Sequence, residues 1–117
     1  MSLRGRIRNW MVSQEQDYEL TRVVENQLDV FESDHHKLIA DCEAAERAFE
    51  AGAPGRDEAR YVDYAELIKH GRDLLDRTRG RYAVTLEGEQ RERYLGIFHE
   101  AVLKRLSRFA QEIELPS

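Results

Sequence analysis

Histidine and carboxylate side chains at helical spacing are the chain's first candidates for chemistry. Glu32 and His35 stand three residues apart in Glu-Ser-Asp-His, so a helix projects both from one face. Glu66 and His70, four apart, form a second facing pair, and His99 lies beside Glu100. Carboxylate oxygens and imidazole nitrogens converging from three helices suit iron, manganese or zinc. Glu32, His35, Glu66, His70 and His99 are therefore the metal-ligand candidates, and redox chemistry is what they could support.

The elements that must position these groups weigh against that chemistry. A ferritin-like site needs the Glu-x-x-His spacing on two helices, with inward glutamates from two more. Here it occurs once, in a chain with 23 acidic residues where such spacing arises by chance. A metal-binding, ferritin-like helical-bundle oxidoreductase is kept as the alternative reading, and no cofactor is expected. Arg72, Arg77, Arg79, Arg81, Arg91 and Arg93 crowd one region, but Asp73, Asp76, Glu87, Glu89 and Glu92 interleave with them. That pattern reads as a solvated, ion-paired surface. No glycine-rich phosphate loop, zinc-finger spacing or nucleophile elbow appears, so no catalytic residues are assigned.

The organising element is the stretch from Ser13 to Ala51. Val24, Leu28, Phe31, His35, Leu38, Cys42, Ala45 and Phe49 recur at alternating spacings of four and three, without an intervening glycine or proline. That is a heptad seam on one long amphipathic helix. Ser13 and Gln16 have capping-box spacing at its start, and Gly52-Ala-Pro-Gly55 breaks the chain after it. Val23, Val30 and Ile39 widen the stripe, as a second neighbour would require. His35, the only histidine on the seam, is expected to set register through an interhelical hydrogen bond.

A second helix is expected over 63–79, with Asp63 as N-cap and Glu66 closing a capping box; Asp57 is the rival start. Gly80 reads as its stop. A third helix is expected over 86–114, with Thr85 as its cap and a seam through Tyr94, Leu95, Phe98, Ala101, Val102, Leu106 and Phe109. At ~1.5 Å per residue the later helices are too short to cover the first. Val23, Val24, Leu28 and Phe31 are therefore expected to be left uncovered, and a homodimer in which two long helices shield each other is the expected remedy. The layout is similar to that of small all-helical chorismate mutases, whose dianionic substrate needs convergent arginines and a lysine. The first helix offers only Arg22, Lys37 and Arg47.

The first twelve residues read as a separate arm. On a helical wheel Leu3, Ile7, Trp10 and Met11 share one face, flanked by Arg4 and Arg8, as on an interfacial helix that meets anionic lipid or a partner protein. These twelve residues carry three arginines and no acid, whereas residues 13–54 hold eleven acids and three bases. An acidic body disfavours nucleic acid as a partner. Cys42 is the only cysteine, lies on the seam, and reads as a packing residue. No apolar run approaches a membrane span, and no secretory signal is evident, so a cytoplasmic protein, peripheral at a membrane through its arm, is expected.

The sequence thus predicts an all-α fold: an antiparallel three-helix bundle on one long amphipathic helix, comprising residues 13–117, behind a basic amphipathic arm of residues 1–12. The function expected is a non-enzymatic protein-protein interaction or regulatory module, working as a homodimer.

Overall fold

An uninterrupted run of helix-compatible residues carries the first helix upstream of the stretch that its seam suggests. In the computed structural model, which describes residues 3–51 and 57–110, with side chains for 14–51, 59 and 61–110, α1 spans Leu3–Asp34. Ser13 is interior to it, so its capping-box partner Gln16 caps nothing. An N-cap needs the chain upstream to leave the helix, and residues 3–12 stay in it. Residues 3–12 of the arm therefore form the first part of α1; the arm's side chains lie outside the described residues.

At its other end α1 stops where the sequence predicts continuity. The chain breaks at His35 and resumes as α2, His36–Ala51. Ser33 and Asp34 have low helix propensity, because their side chains compete for nearby backbone groups. His36 completes the break: its Nδ1 lies 3.1 Å from the Ser33 carbonyl, which an unbroken helix would give to the Lys37 amide. On either side the helical hydrogen bonds persist, from the His35 amide to Phe31 and from the Ile39 amide to His35. The molecule measures 70 × 27 × 24 Å, close to the ~73 Å that an unbroken helix from Leu3 to Ala51 would span, so α1 and α2 lie nearly end to end.

The second helix follows the rival start. α3 runs Asp57–Ala83, through Asp63 and past Gly80. The end of α3 is held by side chains instead of a glycine stop. Thr85 Oγ1 donates to the Tyr82 carbonyl at 2.7 Å, and Arg91 donates from Nε to Ala83 at 3.0 Å and from its terminal nitrogen to Leu86 at 2.6 Å. A helix whose last carbonyls are satisfied this way needs no left-handed C′ residue. Thr85 accordingly does not cap the next helix. α4, Gly88–Arg105, starts at Gly88, whose φ of +55° is the left-handed conformation glycine tolerates. It ends at Leu106, followed by the short α5, Ser107–Ala110.

Ion pairs and hydrogen bonds give the directions. Arg93 pairs with Asp17 and Arg105 with Asp29 and Glu32, so α4 runs alongside α1 in the same sense. Arg108 carries the same direction onto Glu43 and Glu46 of α2. Tyr64 of α3 donates to Glu46, while Tyr82 stacks on Tyr94 at the far end, so α3 runs the opposite way. The result is an all-α bundle of four main helices, without a strand among the described residues.

One apolar cluster runs through it. Leu20, Val24, Leu28 and Phe31 from α1 join Cys42, Ile68, Leu75, Tyr94, Phe98, Val102, Leu106 and Phe109. This corrects the expectation that the row on α1 is uncovered: Val24 and Leu28 are 0% exposed and Phe31 3%, because α4 packs along α1. The third helix, expected as one element over 86–114, is divided within the described residues into α4 and α5.

Gly71 makes one of these contacts possible. A Cβ there would enter the edge of the Phe109 ring, which is itself buried. Gly71→Ala is expected to destabilise the fold by about 1–3 kcal/mol through overpacking. Gly80→Ala, in the same helix with open space around it, should stabilise by roughly 0.5–1 kcal/mol. Urea unfolding of the two variants beside the parent checks both signs.

Candidate interaction surface

Three helices around one core should touch pairwise, yet α1 and α3 scarcely meet. α1 packs along α4, and α2 along α3. Between α1 and the last turns of α3 this leaves a groove of about 610 Å³. Val23, Val30 and Phe31 line it from α1, with Asn26 and Gln27 between them; Thr78, Arg81 and Tyr82 line it from α3. Asp34 and His35 close its lower end. Val30 is 58% exposed, an isolated branched aliphatic side chain one heptad from Val23. The groove floor is tied down: Tyr94, fully buried, donates from its hydroxyl to Gln27 Oε1 at 2.9 Å and packs its ring against Tyr82, centroids 4.7 Å apart. The groove wall on α1 is thus held in place, while Val30 on its outward face stays exposed among the described residues.

The predicted site residues fall differently from their sequence grouping. Of Val23, Val24, Leu28 and Phe31, only Val23 keeps a partly exposed side chain facing the groove beside the edge of Phe31; Val24 and Leu28 are interior. Leu3, Arg4, Ile7, Arg8, Trp10 and Met11 lie among the residues whose side chains are not described. The groove residues Val30, Thr78, Arg81 and Tyr82 were not assigned to a site from sequence. Their signal was present in part, since Val23 and Val30 widen the apolar stripe of α1 beyond the seam.

The metal-ligand candidates do not converge. Glu32 accepts from Arg105 at 2.6 Å, and His35 packs its ring on Phe31, centroids 4.8 Å apart, facing the groove. Glu66, His70 and His99 are exposed. Among the described residues no three His, Cys, Asp or Glu side chains are close enough together to hold a metal ion. His35 lies at a helix break against an aromatic ring. Its expected interhelical hydrogen bond is not among the described contacts. The arginines take separate roles: Arg79 pairs with Asp76, Arg91 holds the end of α3, and Arg93 pairs with Asp17.

Titration behaviour follows burial. Cys42 is 0% exposed, and burial pushes its thiol above the ordinary 9.0 despite the nearby Arg108 guanidinium. Burial likewise raises the Tyr94 phenol, partly offset by its hydrogen bond to Gln27, and raises Tyr64, with Glu46 adding to the effect. Each shift moves its group further from neutrality, the opposite of what tunes a side chain for acid-base work near pH 7. Arg105 is also raised, by its hydrogen bonds to Glu32 and Asp29.

A thiol or phenol whose pKa is higher in the folded state ionises first in the unfolded chain. Its stabilising contribution is complete below the unfolded value and is lost as pH rises from there through the folded value. Stability is therefore expected to fall from about pH 9, where the unfolded Cys42 thiol is half ionised, and further above pH 10 as the tyrosines follow. Urea midpoints at pH 8 and pH 10 measure this, and Cys42→Ala should flatten the earlier part of the decline. Among the described residues no helix is long and apolar enough to cross a membrane. No family model, curated protein or solved structure matches this chain.

Proposed function

We propose that the chain is a non-enzymatic helical interaction or regulatory module that works as a homodimer through the α1–α3 groove. The observation that carries this reading is a bundle whose seam is satisfied internally while one pair of helices stays apart, exposing Val30 beside Val23. A second copy suits that face because its spacing is self-complementary. A two-fold axis crossing α1 between Asn26 and Gln27 lays Val23 of one copy against Val30 of the other, at both ends of the contact. The expected face is therefore Val23 and Val30, in place of Val24 and Leu28.

The first turns of α1 extend this module. Their sequence pattern, Leu3, Ile7, Trp10 and Met11 with Arg4 and Arg8, supports attachment to an anionic membrane surface or a protein partner, with the bundle held in the cytoplasm at that surface. The acidic body disfavours nucleic acid as a partner.

Multi-angle light scattering tests the dimer. The parent chain should have twice the mass of one copy, and Val30→Asp should halve it with helical circular dichroism retained. Leu28→Asp should lose the fold itself, because it places a charge in a fully buried site. A monomeric parent chain at high concentration would sink the dimer. Co-sedimentation with anionic vesicles tests the attachment: binding that disappears with added salt, or on removing residues 1–12, is the expected result.

A further inference from the structure

The helix breaks at His35 and at Leu106 occur at the same level of the rod. Arg105, just before one break, reaches Glu32, just before the other, at 2.6 Å, and the rings of Phe31 and Phe109 approach to 6.0 Å across it. The remaining helix, α3, passes this level with Gly71, against which Phe109 packs. All three rods are thus interrupted or stripped of a side chain at one cross-section.

The contacts divide at the same level. Arg105 donates to the Glu25 carbonyl, Asp29 and Glu32, all on α1, whereas Arg108, three residues later, pairs with Glu43 and Glu46, both on α2. α4 packs on α1 and α3 on α2, with Tyr64 near the start of α3 bonded to Glu46 and Arg108 of α5 paired to the same residue. Each half is tied internally by its own arginine. Beside the breaks lies a notch of about 390 Å³, lined by Glu32, His36 and Glu43 on one wall and by Arg105, Ser107 and Arg108 on the other. It leaves room for movement there.

We infer that this cross-section is a hinge, about which the half formed by α1, α4 and the end of α3 bends against the half formed by α2, α5 and the start of α3. The breaks absorb the change in backbone angles, as element ends do in hinge motions. α3 is the continuous spine, and the Phe31–Phe109–Gly71 contact is the pivot. Bending closes the notch next to His36. Because Asp34 and His35 form the lower end of the α1–α3 groove, the same movement alters the proposed docking face. The hinge itself stands independently of any dimer.

Pulsed electron paramagnetic resonance on spin-labelled protein tests this, in a Cys42→Ala background. Val30→Asp is added if the parent is dimeric, so that only distances within one copy are read. One labelled pair, Arg22→Cys with Arg47→Cys, spans the hinge; a second, Glu15→Cys with Leu103→Cys, lies within one half. The spanning pair should give a distance distribution at least about twice as wide as the second. Equal widths would overturn the hinge. Should the labelled variants fail to fold, amide hydrogen exchange on the unmodified chain replaces the labels. Amides 36–39 and 106–109 should then exchange at least about tenfold faster than those of 72–79 in α3, and equal protection would overturn it.

Discussion

Phe109 occupies the space that Gly71 leaves open, and much of the architecture depends on that contact. A phenyl ring can enter between helices most easily where one of them offers no side chain, and α3 does so beside Phe109 at Gly71. From there the ring meets Phe31, which joins α1 to the same point. Since the three helices are fixed to one another at this level, the register of the remaining core follows from helical spacing. Leu20, Val24 and Leu28 then come to lie beside α4, and Cys42, Ala65 and Ile68 occupy the half beyond. Close packing makes such a point selective, because interiors tolerate neither a void nor an extra methyl group cheaply.

The polar contacts have a different role. The ion pairs are at least partly exposed, each worth little on its own in water. Their value lies in arrangement, since they form two separate sets around Arg105 and Arg108. The buried exception is Tyr94, whose hydroxyl finds Gln27 across the helix interface. A buried phenol must have such a partner, and this one fixes α1 against α4 beside the groove. The result is a body with its ion pairs in two sets, an exposed groove on one side and a notch on another.

The helical character, the seams of α1 and α4, and the packing role of Cys42 were legible from periodicity, because burial on one face of a helix imposes a repeat of three and four. Several boundaries were not. Gly80 resembled a stop, yet the end of α3 is settled by Arg91, a residue that only the turn brings to those carbonyls. Ser13 resembled a cap, although capping requires the preceding residues to leave the helix. The break at His35 rests on a short run of poor helix formers and on a side-chain contact one turn back, a signal weaker than the seam running through it. The groove was half legible: Val23 and Val30 marked α1 as wider than one neighbour requires, while Thr78, Arg81 and Tyr82 lie more than forty residues away in the chain.

By itself the sequence determined that the chain is helical, which face of each helix is apolar, and that its histidines and carboxylates lack the repeated spacing of a metal site. These are local properties, set by residue type and by a period of 3.6. Only the tertiary structure decided which apolar residues are satisfied within the chain. Val24, Leu28 and Val30 are all aliphatic and lie on one helix, yet two are buried and one faces outward. The difference comes from where α4 packs and where α3 stands off, and those placements depend on contacts between residues as distant as Phe31 and Phe109. Periodicity names a face; only the neighbouring helix decides whether it is covered.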